Sequence, residues 1–125
     1  MVIDTSAILA VFFAEKHAQW VVDHMKTNAS NLCMSTVNLT ETLLLLQARQ
    51  SNDFKNLEKT LFSSGITFVS PDIEQAKIAA YARNKYPLNL GDCFVYALAA
   101  SRDDTILTVD RDFKSVDCKL LLPPI

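Results

Sequence analysis

"MVIDTSAILA" (residues 1–10) sets a short apolar run against an acid and two hydroxyls, and the reading of that boundary decides the fold. Val2 and Ile3 suit a buried strand, which would then end on Asp4. From Ser6 the apolar residues fall at Ile8, Val11 and Phe12, a helical spacing. A strand running straight into a helix is the repeating unit of a parallel α/β sheet, and such sheets keep their sites at the strands' C-terminal ends. On that reading Asp4 stands at a site. On the plainer one it only caps the helix that follows.

The rest of the chain repeats the alternation. A first helix is expected from Ser6 to about Glu15 and a second from His17 to Thr27, followed by a strand over "NLCMS" (31–35). A third helix spans about Val37 to Gln50. Its "LLLL" (43–46) points all around the axis, so we expect it to be buried on most sides or shared with a partner chain. A fourth helix runs over Asn52–Ser63, capped by Ser51 or Asn52 and stopped near Gly65, and "ITFV" (66–69) is a strand. "SPDIEQAKIAAYARNKY" opens with a Ser cap and a first-turn Pro, and Pro87 closes that helix. "NLGDCFVYALAAS" is an Ala-rich helix for which Asn89 is a cap, and "TILTV" (105–109) and "KLLLP" (119–123) are the last strands. Strands separated by helices imply a three-layer α/β/α fold with a mostly parallel central sheet. With no repeat, low-complexity tract or linker, residues 1–125 are expected to form one domain.

Composition narrows the function classes. Half of the 125 residues are hydrophobic and 21% are charged, the range of a folded globular chain. No apolar run approaches the ~20 residues of a membrane span, and no basic region precedes an apolar stretch at the N-terminus. We therefore expect a cytoplasmic protein with no membrane partner. Cys33, Cys93 and Cys118 are odd in number and widely spaced, which suits reduced thiols rather than a disulfide framework. The net charge of −2 argues against a broadly basic nucleic-acid-binding surface and leaves room for a local patch.

Most of the 14 acids, such as Asp23, Asp53, Glu58 and Glu74, read as solvated helix-face charges. Four differ because apolar residues surround them: Asp4 after "MVI", Glu41 in "VNLTETLLLL", Asp92 in "LNLGDCFVYALAA" and Asp110 after "ILTV". None of Asp4, Glu41 and Asp92 has a Lys or Arg at helical or strand spacing. Arg111 adjoins Asp110, but strand neighbours face opposite ways. Taken singly, each acid has a bland role, Asp92 as half of a capping pair with Asn89 and Asp110 as a turn cap. Together they sit at strand ends and helix starts, which converge on one edge of an α/β sheet. Crowded carboxylates repel, so their pKa values should rise unless a cation balances them. An oxygen-only set suits Mg2+ or Mn2+ rather than zinc, and such ions activate water against a phosphodiester. Ser6 lacks a nucleophile-elbow context, neither His has a triad partner, and no Gly-rich phosphate loop exists.

"VIDTSAIL", "TE" within an apolar helix, "LNLGDCFVYALA" and "ILTVDRDF", in this order and spacing, resemble the PIN domain, and within it the small toxins of the VapC type. The resemblance covers nearly the whole chain. It implies a Rossmann-like sheet and a metal-dependent endoribonuclease, with Asp4, Glu41, Asp92 and Asp110 holding Mg2+ or Mn2+. Asp112 matches a less constant acid of the site, and Thr5, Ser6 and Thr108 match hydroxyls that orient the carboxylates or their waters. Asn89 departs from the basic or other polar residue that many relatives carry there. The resemblance further implies an RNA substrate, a cognate antitoxin and a homodimer. Arg49, Lys55, Lys59, Arg83, Lys85, Arg111 and Lys114 are candidates for a positive rim that meets phosphates. Two other functions stay open at this point: a PIN nuclease with a housekeeping role in RNA processing, and a non-enzymatic receiver-like regulatory domain. Against the latter, no second acid follows Asp4 and no Lys ends a late strand.

Overall fold

The computed structural model describes residues 1–125. Five short strands, β1 (Val2–Ile3), β2 (Cys33–Ser35), β3 (Thr67–Val69), β4 (Ile106–Leu107) and β5 (Leu120–Leu121), form one sheet in the order β3-β2-β1-β4-β5. Every pairing is parallel. Six helices surround it: α1 (Thr5–Phe12), α2 (Ala18–Thr27), α3 (Thr36–Arg49), α4 (Phe54–Phe62), α5 (Ile73–Lys85) and α6 (Leu90–Arg102). The expected three-layer α/β/α architecture is present, with each strand shorter than its apolar run suggested.

Adjacent strand residues point to opposite faces, and this alternation divides the interior in two. Val2, Cys33 and Ile106 enter one core with α5 and α6, where Ala79, Ala82, Ala97 and Ala99 are buried. Ile3, Met34 and Leu107 enter the other core with Ala7, Ile8, Val21, Leu46 and Leu61 of α1 to α4. Each strand thus supplies neighbouring side chains to both layers, which fixes its register.

Several local expectations need correction. In the "LLLL" run only Leu46 is buried; Leu43 is half-buried, while Leu44 and Leu45 are 60% and 41% exposed. One helix face meets the sheet, and four consecutive leucines cannot all lie on it. The cap of α5 is Asp72, whose side chain accepts the Gln75 N–H at 2.8 Å, rather than Ser70 two residues earlier. Strand β4 stops at Leu107, and Arg111 opens a short 3-10 turn (Arg111–Ser115) instead of continuing the strand. Gly65 takes a φ of +84°, the left-handed geometry that turns the chain out of α4 toward β3. No helix is long and apolar enough to cross a membrane.

The connections place the candidate site. The chain passes from β1 outward to β2 and β3, then returns across the sheet through α5 and α6 to β4 on the other side of β1. The order reverses at β1, so the crevice of the fold lies beyond the C-terminal ends of β1 and β4. Asp4 follows β1 directly, and Asp110 lies three residues beyond β4.

Candidate functional site: an acidic edge

Asp4 occupies the N-cap position of α1, yet its side chain makes no capping hydrogen bond. Its Oδ2 instead accepts the hydroxyls of Ser6 at 2.5 Å and Thr108 at 2.7 Å. Those hydroxyls belong to a wider lattice: Ser6 Oγ accepts the Val109 N–H at 3.2 Å, and Thr108 Oγ1 accepts the Asp110 N–H at 2.9 Å. The plainer reading of Asp4 fails here. The carboxylate ties the end of β1 to the end of β4 and does not cap its helix.

Glu41 is held from α1 and from its own helix. Thr5 Oγ1 donates to Glu41 Oε1 at 2.9 Å, and Asn38 Nδ2 donates to the same oxygen at 2.9 Å. Asn38, buried on α3 three residues before Glu41, also donates to the carbonyl of Gly91 on α6 at 3.0 Å. Glu41 lies flat against Gly91, where a Cβ would stand 2.1 Å from Oε2.

For Asp92 and Asp110 the capping roles are real. Asn89 Oδ1 accepts the Asp92 N–H at 2.8 Å, and Asp92 Oδ2 accepts the Asn89 N–H at 3.3 Å, closing a capping box on α6. Asp110 Oδ1 accepts the Asp112 N–H at 2.9 Å and so starts the 3-10 turn. Phe113 in that turn is fully buried in the core, an anchor of about 2 kcal/mol for the segment that carries Asp110. Asp112 takes part through its backbone N–H; its own side chain is exposed.

One pattern runs through all four acids. In each carboxylate one oxygen is held by protein donors, Asp4 Oδ2, Glu41 Oε1, Asp92 Oδ2 and Asp110 Oδ1. The second oxygen accepts no hydrogen bond from the protein. None of these second oxygens is sealed in the interior; the buried side-chain atoms without a partner are Asn38 Oδ1 and Gln75 Oε1.

The four acids feel one another. Burial pushes Asp4 up to about 6 against the lowering pull of the Ser6 and Thr108 hydroxyls, with Asp110 and Glu41 adding repulsion. Burial raises Asp92 to about 7, helped by the negative charges of Asp4, Asp110 and Glu41 and opposed by the Asn89 N–H. No salt bridge reaches any of the four. Among the candidate rim cations, Arg49 stacks on the Phe13 ring at 3.7 Å, Lys55 pairs with Glu58, Lys85 with Asp117, and Arg111 donates to the Pro123 carbonyl. No lysine or arginine side chain forms an ion pair with any of the four acids.

The donor set is all oxygen, acidic and free of ion pairs, with one oxygen per carboxylate that accepts no protein hydrogen bond. Its chemistry fits a hard divalent cation. The side chains do not converge into a closed ligand cage, since no group of three His, Cys, Asp or Glu residues stands at metal-holding separation. Asn38 and Gly91 escape a reading of acids alone. Their signals are an amide three residues before Glu41 on an apolar helix and one of only two glycines, placed just before Asp92.

Solved structures share this architecture. A toxin–antitoxin complex from Klebsiella pneumoniae superposes with a TM-score of 0.80 at 16% identity, covering 98% of this chain and 97% of that one. VapC20 of Mycobacterium tuberculosis, a sarcin-ricin loop cleaving toxin, gives 0.80 at 15% identity and covers 98% of both chains. At such identities the likeness speaks for the fold. In sequence the chain is 33% identical over 128 residues to Ribonuclease VapC42 of Mycobacterium tuberculosis, covering 95% of this chain and 97% of that protein. Ribonuclease VapC of Mycolicibacterium smegmatis is 30% identical over 125 residues, covering 94% and 96%. Residues 1–119 match the PIN domain, and the chain belongs to that family.

Proposed function

We propose that this PIN-domain chain is a metal-dependent endoribonuclease that hydrolyses RNA phosphodiester bonds, acting as a single domain over residues 1–125 in the cytoplasm. The supporting observation is the pattern of four unpaired carboxylates, each with one oxygen fastened and the other free, at the switch point of the sheet. Asp4, Glu41, Asp92 and Asp110 would hold Mg2+ or Mn2+ through the free oxygens. Such an ion, when bound, lowers the pKa of water and stabilises negative charge on phosphate oxygens.

The chain's own residues supply the order. Ser6 and Thr108 hold Asp4 Oδ2, which leaves Oδ1 without a protein hydrogen-bond donor. The capping box fixes Asp92 at the first turn of α6, where backbone N–H groups favour negative charge. Burial and the neighbouring acids raise the pKa of Asp92 to about 7, and a bound cation would favour its ionised form. Each fastened oxygen limits the motion of its carboxylate, and the four side chains would still have to draw together to enclose an ion.

We further propose that the chain is the toxin of a toxin–antitoxin pair and works as a homodimer, with an antitoxin as its protein partner. The VapC names and VapBC complexes among its relatives and structural neighbours support this reading. The test joins both parts. Expression of the chain alone should arrest growth, and purified chain should cut cellular RNA with Mn2+ or Mg2+ and stop on chelation. Asp92→Asn should abolish both effects; growth arrest by that variant equal to the wild type would remove the mechanism.

A further inference from the structure

The four acids come from separate segments, and something must set the spacing of Glu41 on α3 against Asp92 on α6. Hydroxyls that touch Asp4 do not do this. The only side chain that hydrogen-bonds to both neighbourhoods is Asn38. Its Nδ2 donates to Glu41 Oε1 at 2.9 Å and to the Gly91 carbonyl at 3.0 Å, one residue before Asp92. Both partners are acceptors, so the amide orientation is settled: a carbonyl oxygen in its place would meet two oxygens with nothing to donate. That choice leaves Asn38 Oδ1 buried without a partner, a cost accepted for the two bonds on the other side. Meanwhile Gly91 brings its bare α-carbon against the Glu41 carboxylate, in a gap where a Cβ would lie 2.1 Å from Oε2, 2.5 Å from Cδ and 2.6 Å from Oε1. Gly91 sits within α6, not at a left-handed turn, so its conformation does not demand glycine; the space does.

We propose that Asn38 and Gly91 are positioning residues that lock Glu41 against the start of α6. Asn38 sets the distance from one side, and the missing side chain at position 91 admits the carboxylate from the other. The lock holds Oε1 through Asn38 and Thr5 and leaves Oε2 as the single free oxygen of Glu41. This inference rests on the nuclease reading, in which Glu41 serves the site.

Gly91→Ala makes a clean probe. Alanine favours the helix over glycine, and the atoms it displaces are the flexible end of Glu41, not backbone. Fold stability should hold or rise while Glu41 loses its place. Asn38→Ala removes the lock from the other side at a buried position, so Gly91→Ala carries the decision should that variant fold poorly. The measurements are the Mn2+ dissociation constant of the purified chain by calorimetry, kcat and KM on an RNA substrate, and the thermal midpoint, with Glu41→Gln as reference. We expect Mn2+ affinity and kcat to fall roughly 10- to 100-fold in Gly91→Ala, with KM little changed and the midpoint no lower than wild type. Unchanged Mn2+ affinity and kcat in Gly91→Ala, beside a Glu41→Gln variant that loses both, would overturn the lock alone. Unchanged behaviour of Glu41→Gln itself would overturn the lock together with the role of Glu41 on which it rests.

Discussion

Asp4 and Asp117 are both held by hydroxyl groups, and their pKa values move in opposite directions. Asp4 takes the Ser6 and Thr108 hydroxyls, is buried, and has its pKa raised to about 6. Asp117 takes the Tyr96 hydroxyl at 2.7 Å, its N–H donates to Tyr86, and Lys85 stands 3.9 Å away. The two tyrosines hold its carboxyl below the usual range, with Lys85 contributing, and its side chain is largely exposed. Hydrogen bonding alone therefore does not set a carboxylate's charge. Burial and the sign of the neighbouring charges decide, and at Asp4 both oppose ionisation. Asp117 is a latch, fastening the segment before β5 to α5 and α6. Asp4 is a charge kept under tension.

The contrast is most exposed to a test that separates activity from stability. Asp4→Asn should bring RNA cleavage to background while leaving the metal-free midpoint at pH 8 equal to or above wild type, because it removes a buried charge with no counter-ion. Parallel cleavage assays and thermal scans check this. A large loss of stability would mean that the ionised carboxylate is structural after all.

The next effect is the pH dependence of the metal-free chain. Asp4 and Asp92 rise from an ordinary 3.8 to about 6 and about 7, so between pH 4 and 7 the folded state holds more protons than the unfolded one. Their contribution to stability is then greatest below about pH 4 and declines as pH rises through 6 and 7. Chelator-treated chain should show that decline between pH 4 and 7, and millimolar Mn2+ should flatten it by binding the ionised folded form. An Asp4→Asn, Asp92→Asn double variant with an undiminished slope would place the titrating groups elsewhere.

Smallest of all should be Asp117→Asn. It keeps an acceptor for Tyr96, lies away from the acidic edge, and should change cleavage less than about twofold with a stability loss of about 1 kcal/mol or less. A denaturant titration beside the cleavage assay measures both. Loss of cleavage here would erase the distinction between latch and site.

The alternation of strand and helix was legible because Val2–Ile3, Cys33–Met34 and Ile106–Leu107 each carry the apolar pair that two opposing cores require. The acids stood out for a related reason, since "MVID" and "ILTVD" each end an apolar run on a carboxylate at the sheet edge. Other features depend on contacts that no local window contains. Asn38 and Gly91 are 53 positions apart, and their bond exists only because α3 and α6 meet at the sheet edge. The leucines of α3 read as buried all round because sequence shows the helix but not how few of its faces are covered. Ser70 and Asp72 both offer capping oxygens, and only the backbone geometry selects Asp72.

Asp92, a site acid in the proposed function, is also the reciprocal half of the α6 capping box, and this has a genetic consequence. Asparagine offers the same acceptor to the Asn89 N–H without the charge, and an aspartate codon becomes an asparagine codon by a single base change. Under the function proposed above, cells selected for escape from growth arrest have a one-step route that silences the site and spares the helix. Suppressors at codon 92 should therefore be enriched in asparagine and still accumulate as folded protein, whereas those that break a core position should vanish from the soluble fraction.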